Sequence, residues 1–338
     1  MLIHRRCWGV SGSCAVLVTA LHMTFTGPAP SQTAAVPAAD VQNLVVRLTS
    51  KLSPVHGPLL LAQERGHYAA EGLQVELRDA NIATAMQVIA GGAEKIGYGS
   101  AMNIAEAVSA GLPVTMVSIY IPKMPLALVA HPDLTLTKPK DLEGKKLGLE
   151  ANELFANTLI PFAKINEVAL SKVMTVQVQP ATRADQFAAR EIDLLPVLTY
   201  EELPVLEKRL GMKLNVLKVA DYELVLLDHG FFVNQEFAKQ QPETIRKLLR
   251  AAGKGFADAL KDPPAAIEAA AKHLPDIDRD ILEMQTRALL EAIAVSTEKP
   301  IGWQEEAQWR GNIDLLKTVG RIKDIKELSF YFTNELLQ

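Results

Sequence analysis

Cysteine is nearly absent from this chain: among 338 residues there are two, Cys7 and Cys14, both close to the start. Past them no thiol remains for a disulfide, a thiolate metal site or a cysteine nucleophile. Aromatic residues make up 6% of the chain, and 35 Lys and Arg stand against 39 Asp and Glu for a net charge of -4. With no basic excess and no basic cluster, the chain lacks the footprint of a nucleic-acid binder. No zinc-protease helix motif, nucleophile elbow or paired-cysteine spacing occurs. The histidines beyond the start, His56, His67, His131, His229 and His273, are dispersed, with no second His at ligand spacing. The residues therefore give no reason to expect a metal or a cofactor. What is present is 49% hydrophobic residues and 22% charged ones, the balance of a globular protein with a sizeable core.

The first residues read as a secretory signal peptide. His4-Arg5-Arg6 precedes an apolar run centred on Ala15 to Leu21, followed by Gly27-Pro28-Ala29-Pro30 and the small residues Thr33-Ala34-Ala35. The apolar run is too short for a membrane span. Cleavage is expected near Ala35, so residues 1–35 are assigned to the signal and the mature chain to export.

An apolar run from Leu44 to Thr49 then stops at a proline-marked polar loop, and Gly57-Pro58 opens a stretch whose Leu59, Leu60 and Ala62 suit a core. This predicts a strand, a loop carrying Ser53 and His56, and a helix ended by Gly66. A loop at the carboxyl end of a strand, beside a helix N-terminus, is where an open α/β sheet binds small ligands. The same residues fit an ordinary connection with a solvated histidine.

The pattern repeats along the chain. Leu73 to Leu77 alternates as a strand, with Asn81 or Thr84 capping a helix over Ala83 to Ala90. Ile96 to Gly99 predicts a strand and tight turn, Ser100 an N-cap, and Ala101 to Ser109 a helix carrying Asn103. Met102 stands where a dinucleotide fingerprint needs glycine, which excludes that reading. Val114 to Tyr120 and Leu126 to Ala130 predict strands separated by a proline-marked crossing. Lys138 to Gly144 reads as a solvated connection, and Lys146 to Leu149 as a strand before a helix capped by Asn152. Met174 to Gln179 predicts a strand and Ala184 to Ala189 a short helix. After a buried strand over Ile192 to Leu198, Thr199, Tyr200 and Glu201 open the next helix. Val225 to Val233 predicts another strand, broken by Asp228-His229-Gly230. Beyond it the chain reads as mostly helix, with Ile245, Leu248, Leu249, Ala252 and Phe256 as one buried stripe. Trp303 and Trp309 read as packing residues.

Pro54-Val55-His56-Gly57-Pro58, then Leu61-Ala62-Gln63-Glu64-Arg65-Gly66-His67-Tyr68 and Glu71-Gly72-Leu73, carry a resemblance that continues through Lys138 to Lys146, Pro242 to Ala251 and Phe332 to Leu336. The chain resembles the thiamine-pyrimidine synthase-like (NMT1-like) family. Its members are periplasmic receptors of ABC importers, related to those for nitrate, sulfonates and thiamine precursors, together with a fungal enzyme that makes the thiamine pyrimidine. The resemblance implies a type II periplasmic binding protein-like α/β fold of two lobes joined by a two-segment hinge. Residues 41–125 and 228–338 would form the first lobe and 126–227 the second, with the crossings near 121–130 and 222–233. It further implies a monomer that hands a small organic solute, such as a pyrimidine precursor, a sulfonate or an aromatic acid, to permease subunits.

The expected ligand contacts are Ser53, His56, Asn81, Ser100, Asn103, Asn152, Thr199, Tyr200 and Glu201. The fungal enzyme holds pyridoxal phosphate through a Lys followed four residues later by a His, and the matching positions here are Gly99 and Asn103. Its cysteine cluster is missing as well, since Leu226 to Val233 contains no Cys. Without an amine for the Schiff base, no enzyme of that kind is expected. Pyrimidine-precursor receptors usually carry a Trp in the first loop and an acid in the second lobe. The matching positions hold Ser50 and Thr199, with Glu201 two residues further on.

Overall fold

The computed structural model describes residues 41–151, 153–293, 296 and 298–337. The signal peptide and Asn152 fall outside the described residues. Leu44, Val46 and Leu48 alternate with less buried neighbours, as a strand with one face in a core demands, and form β1 (Gln42–Leu48). A 3₁₀ turn over Pro54–His56 leads into α1 (Gly57–Glu64), and Gly66 ends that unit at φ 71°. α2 (His67–Ala70) and β2 (Leu73–Arg78) follow, with β2 parallel to β1. Then come α3 (Ile82–Ala90), β3 (Ile96–Ser100), α4 (Ala101–Ser109) and the short β4 (Val114–Met116).

The chain next crosses to a second set of strands. β5 (Leu126–Ala130), β6 (Lys146–Glu150), α5 (Leu154–Ile165), β7 (Met174–Val178) and α6 (Arg183–Ala188) lead to β8 (Leu194–Leu198), α7 (Glu202–Leu210) and β9 (Asn215–Lys218). After crossing back it forms β10 (His229–Asn234). The remaining helices are α8 (Gln235–Gln240), α9 (Pro242–Lys261), α10 (Pro263–His273), α11 (Arg279–Ala292), α12 (Glu306–Thr318) and α13 (Leu328–Tyr331).

Among the described residues these strands make two five-stranded sheets, ordered β2-β1-β3-β10-β4 and β7-β6-β8-β5-β9. Each sheet is mixed. β10 runs antiparallel to β3 and β4 in the first, and β5 antiparallel to β8 and β9 in the second. The two returning strands are the ones adjoining the crossing segments. Those segments bond to each other, Met124 N to Leu226 O at 2.6 Å and Asp228 N to Ile121 O at 3.0 Å. Asn312 of α12 pins one of them, accepting from Leu227 N at 2.8 Å and donating to Val225 O at 3.0 Å.

The strand expected over Val114 to Tyr120 stops at Met116. Beyond it the amides of Val117 and Ser118 converge on one carbonyl, that of Phe231, and Ile119 N turns to Gly302 O, so the ladder ends. For the same reason β10 begins only at His229, because the residues before it are spent on the crossing. α7 begins at Glu202 rather than Thr199, and the connection after Lys138 contains a 3₁₀ turn over Pro139–Leu142.

The apolar stripe of α9 is buried as its spacing requires. Each fully buried Leu, Ile or Phe there contributes about 1.5–3 kcal/mol. Trp309 is buried and stacks on Phe332 with centroids 5.4 Å apart, which makes it a packing residue.

Candidate functional site

Between the two sheets lies a cavity of about 380 Å³, walled by β3 and α4 on one side and by β8 and the starts of α5, α6 and α7 on the other. Its floor is the crossing chain, with Met124, Leu126, Asp228 and His229. The helices α4, α5 and α7 all present their N-terminal ends to this space, because each follows the carboxyl end of a strand in its sheet. Free amides and a helix dipole at such ends favour negative charge. At two of the three the protein supplies that charge itself. Glu153 precedes α5 and accepts from Glu150 N at 3.1 Å, and Glu202 in the first turn of α7 accepts from Leu198 N at 2.6 Å.

The cavity's two arginines are already paired. Arg183 Nη1 lies 2.6 Å from Glu150 and 3.6 Å from Glu153, and Arg183 also donates to the Pro196 carbonyl. Arg321 lies 2.7 Å from Glu106. Burial raises the Glu153 carboxyl to about 7, against the pull of the Glu150 amide and Arg183. Burial likewise holds Glu202 above the ordinary carboxylate range, although the Leu198 amide opposes it. Near neutral pH this wall therefore offers carboxyl groups able to accept, or when protonated to donate, hydrogen bonds.

Of the expected contacts, Ser100 and Asn103 line this cavity. The Ser100 side chain is buried and its Oγ has no hydrogen-bond partner in the protein. Tyr200 is buried beneath, its hydroxyl donating to Asp228 Oδ2 at 2.7 Å. The others are not brought together. His56, expected to face the ligand, lies in the core, 1% exposed, in edge contact with Tyr98 and with Nδ1 3.1 Å from the Ser53 amide. Burial and the nearby His229 lower its imidazole to about 3, so it is neutral. Ser53 starts the 3₁₀ turn above it.

Asn81 is exposed and serves as the cap of α3, accepting from Thr84 N at 2.9 Å. Thr199 borders a separate hollow on the far side of the crossing, beside Lys123 and Lys218. Glu201 is exposed, borders a hollow behind Arg183, and accepts from Gln285 Nε2 through its backbone carbonyl at 2.7 Å. The 3₁₀ turn before α1 is buried throughout, which takes His56 into the core, while the turn before α7 buries Tyr200 and turns Thr199 and Glu201 aside.

The residues that sequence reasoning missed are Glu153, Arg183, Glu202, Asp228 and His229. A signal exists for the last two, since Asp228-His229-Gly230 interrupts an apolar run. Arg183 and the two glutamates stand among ordinary charged residues at helix starts.

Gly99, the position matching the family enzyme's lysine, cannot carry a side chain without a shift. An added Cβ would lie 2.3 Å from Thr49 Oγ1. No amine reaches the site from there, and the residues present do not fit a pyridoxal phosphate held in that way. Among the described residues no group of three His, Cys, Asp or Glu side chains is placed to hold a metal. No described helix is long and apolar enough to cross a membrane.

Residues 53–266 match the family described as NMT1/THI5 like. The riboflavin-binding protein RibY of Chloroflexus aurantiacus is 28% identical over 95% of this chain and 95% of its own length. The formylaminopyrimidine-binding protein of Halalkalibacterium halodurans is 24% identical over 78% of this chain and 83% of its own. An enzyme is also similar: the 4-amino-5-hydroxymethyl-2-methylpyrimidine phosphate synthase of Aspergillus parasiticus, 24% identical over 64% of this chain and 66% of its own. Among solved structures, the periplasmic aliphatic sulphonate binding protein SsuA of Escherichia coli superposes with a TM-score of 0.65 over 85% of this chain and 94% of its own, at 15% identity.

Proposed function

We propose, from the premise that this chain belongs to the NMT1/THI5-like family, that it is the solute-binding component of an ABC importer and captures a small nitrogen heterocycle. It is a solute-binding protein of the periplasmic binding fold. The lobes would be the bodies built on the two sheets, 41–125 with 228–338 and 126–227, hinged at the paired crossing segments. Capture is then a population shift toward a closed form, which requires tighter binding to closed than to open. The permease would recognise the closed form, and no bond need be made or broken. A periplasmic location fits the relatives and the expected signal peptide.

One observation carries the choice of ligand: both arginines of the cavity are already engaged by glutamates, and the wall beyond them offers the further carboxyl groups of Glu153 and Glu202. A sulfonate or aromatic acid would have to displace Glu150 or Glu106 from its arginine and approach further carboxylates. A neutral or weakly basic heterocycle with ring N–H or amino groups meets matched acceptors instead. Riboflavin and formylaminopyrimidine, named for the two binding proteins above, are of this kind. The synthase reading is disfavoured by Gly99 packed under Thr49.

A thermal-shift screen tests this with riboflavin, formylaminopyrimidine, 4-amino-5-hydroxymethyl-2-methylpyrimidine, an alkanesulfonate and an aromatic acid. A bound compound at a hundred times its dissociation constant adds about 2.7 kcal/mol of stability. The heterocycles are expected to stabilise and the anions not. Stabilisation by the anions alone would reverse the assignment, and turnover of a bound compound by the purified protein would restore the enzyme reading.

A further inference from the structure

His229 is absent from the expected contacts, yet its surroundings single it out. β3 and β10 are antiparallel with His229 opposite Ser100, and opposed residues of such a pair project from the same face of the sheet. Both line the cavity. Ser100 brings a buried hydroxyl that no protein group satisfies, and a buried polar atom left unpaired costs free energy that a ligand atom can recover.

The imidazole is held from behind. Its Nδ1 lies 2.8 Å from Asp228 Oδ1, and the other oxygen of that buried carboxylate accepts the Tyr200 hydroxyl at 2.7 Å. The Nδ1 contact is an ion pair between chain neighbours without hydrogen-bond geometry; with Nδ1 beside Asp228, Nε2 is the nitrogen left for another partner. The Asp228 carbonyl accepts from Ala101 N at 2.9 Å, which ties this strand end to the start of α4. Tyr200 follows β8 of the second sheet, so the carboxylate that orients a first-sheet histidine is itself gripped from the second.

We propose that His229 is a hydrogen-bond donor to the captured solute, acting beside Ser100, and that Asp228 and Tyr200 are the positioning residues that hold it. This deepens the receptor reading and rests on it. The solute must then carry an acceptor, a carbonyl oxygen or a ring nitrogen, on the edge that meets β3 and β10, while its N–H groups meet the Glu153 and Glu202 wall. Aminopyrimidines and flavins have both edges.

Charge supports the arrangement. Burial opposes a proton on His229, but Asp228 and, more weakly, Glu201 outweigh it and hold the imidazole above its ordinary value. The other groups around it are the neutral His56 and the Tyr98 ring, 5.7 Å from its own, with Glu153, Glu202 and Arg183 across the cavity. Solute affinity therefore falls as pH rises through the raised His229 value.

NMR titration of the histidine side chains in the full chain tests the positioning directly. His229 is expected to titrate above the ordinary histidine value and His56 below it, and Asp228→Asn to lower the His229 midpoint. An unchanged midpoint in that variant would overturn the role of Asp228. Riboflavin and 4-amino-5-hydroxymethyl-2-methylpyrimidine are the probes for the contact. Whichever binds should shift the His229 signal, and His229→Gln should weaken its binding about tenfold or more, the loss expected for a charge-assisted hydrogen bond, and remove the part of the pH dependence that follows the His229 midpoint, leaving that of Glu153 and Glu202. Ser100→Ala should weaken binding several-fold with the pH dependence intact. If His229→Gln keeps the wild-type affinity and pH profile, the donor assignment fails. If no compound of the screen binds the wild type, the receptor reading fails and takes the solute contact with it, while the titration still decides whether Asp228 positions His229.

Discussion

The Tyr200 hydroxyl, carried by the turn after a second-sheet strand, donates to Asp228 Oδ2 at 2.7 Å, just ahead of a first-sheet strand, and both side chains are buried. A buried carboxylate is tolerated only when its charge is answered. Asp228 has two partners, His229 in the first sheet and Tyr200 in the turn that follows β8 of the second. The bond therefore couples the relative placement of the sheets to the state of a histidine on the cavity floor.

Tyr200→Phe leaves that carboxylate with one partner, and unfolding in urea is expected to show a loss of about 1–3 kcal/mol. The raised His229 value gives the loss a pH dependence. A group whose folded value is raised contributes stability at pH below its unfolded value and gives it up as pH rises through the folded one. The variant should therefore suffer more in alkaline buffer, where His229 no longer answers Asp228. Equal stability of variant and wild type at every pH would refute the coupling.

Glu153 offers a second test in ligand-free protein. Its folded value, about 7 against an ordinary 4.5, favours the folded state at low pH, and this contribution is lost as pH rises from 4.5 through 7. The effect is on the order of 2 kcal/mol. Glu153→Gln has nothing to titrate, so its stability should fall less between pH 5 and pH 8 (about those values bracket the window). A pH–stability curve parallel to the wild type would show that the carboxyl is not buried as described.

His56 works in the opposite direction. Its folded value is lowered to about 3, so the stability it contributes is present above the ordinary histidine value and is lost as pH falls toward 3. Replacing it by Gln should flatten the acid limb of the stability curve by roughly 2–4 kcal/mol. Because the side chain does not reach the cavity, solute affinity at neutral pH should change little. A large loss of affinity with stability preserved would return His56 to the ligand.

Gly230→Ala is a test of packing. An added Cβ there would lie 1.9 Å from the Ser118 carbonyl oxygen and 2.7 Å from its carbon, both backbone atoms of the facing segment. Neither can rotate away, so the crossing must move. Thermal or urea unfolding should register a loss of roughly 3 kcal/mol or more, at the severe end for a single methyl. A loss under about 0.5 kcal/mol, the usual scatter of surface changes, would mean that the two segments are not so closely apposed.

Much of the element order was legible because it rests on local chemistry. The alternation of Leu44, Val46 and Leu48, the glycine after α1, the Asn81 cap and the apolar stripe of α9 all act within a few residues along the chain. The cavity walls were legible only in part. Ser100 and Asn103 follow a strand directly and start a helix, so the carboxyl-end rule finds them. Thr199 and Tyr200 obey the same rule and are carried elsewhere, because a turn lies between β8 and α7 and sends successive side chains to different sides. His56 is the clearest case: its place after a strand suggested a ligand contact, while packing against Tyr98 put it in the core.

The sequence by itself determined the alternation of strands and helices, the family and the absence of a lysine at the position a pyridoxal enzyme would need, since each is written in the order of residues or their spacing. Only the tertiary structure decided which charges answer one another. Arg183 with Glu150, Arg321 with Glu106, and Asp228 with Tyr200 join residues far apart in the chain, and their distances follow from how the two sheets pack. Electrostatic energy depends on separation and burial in space, quantities that position along a chain does not encode.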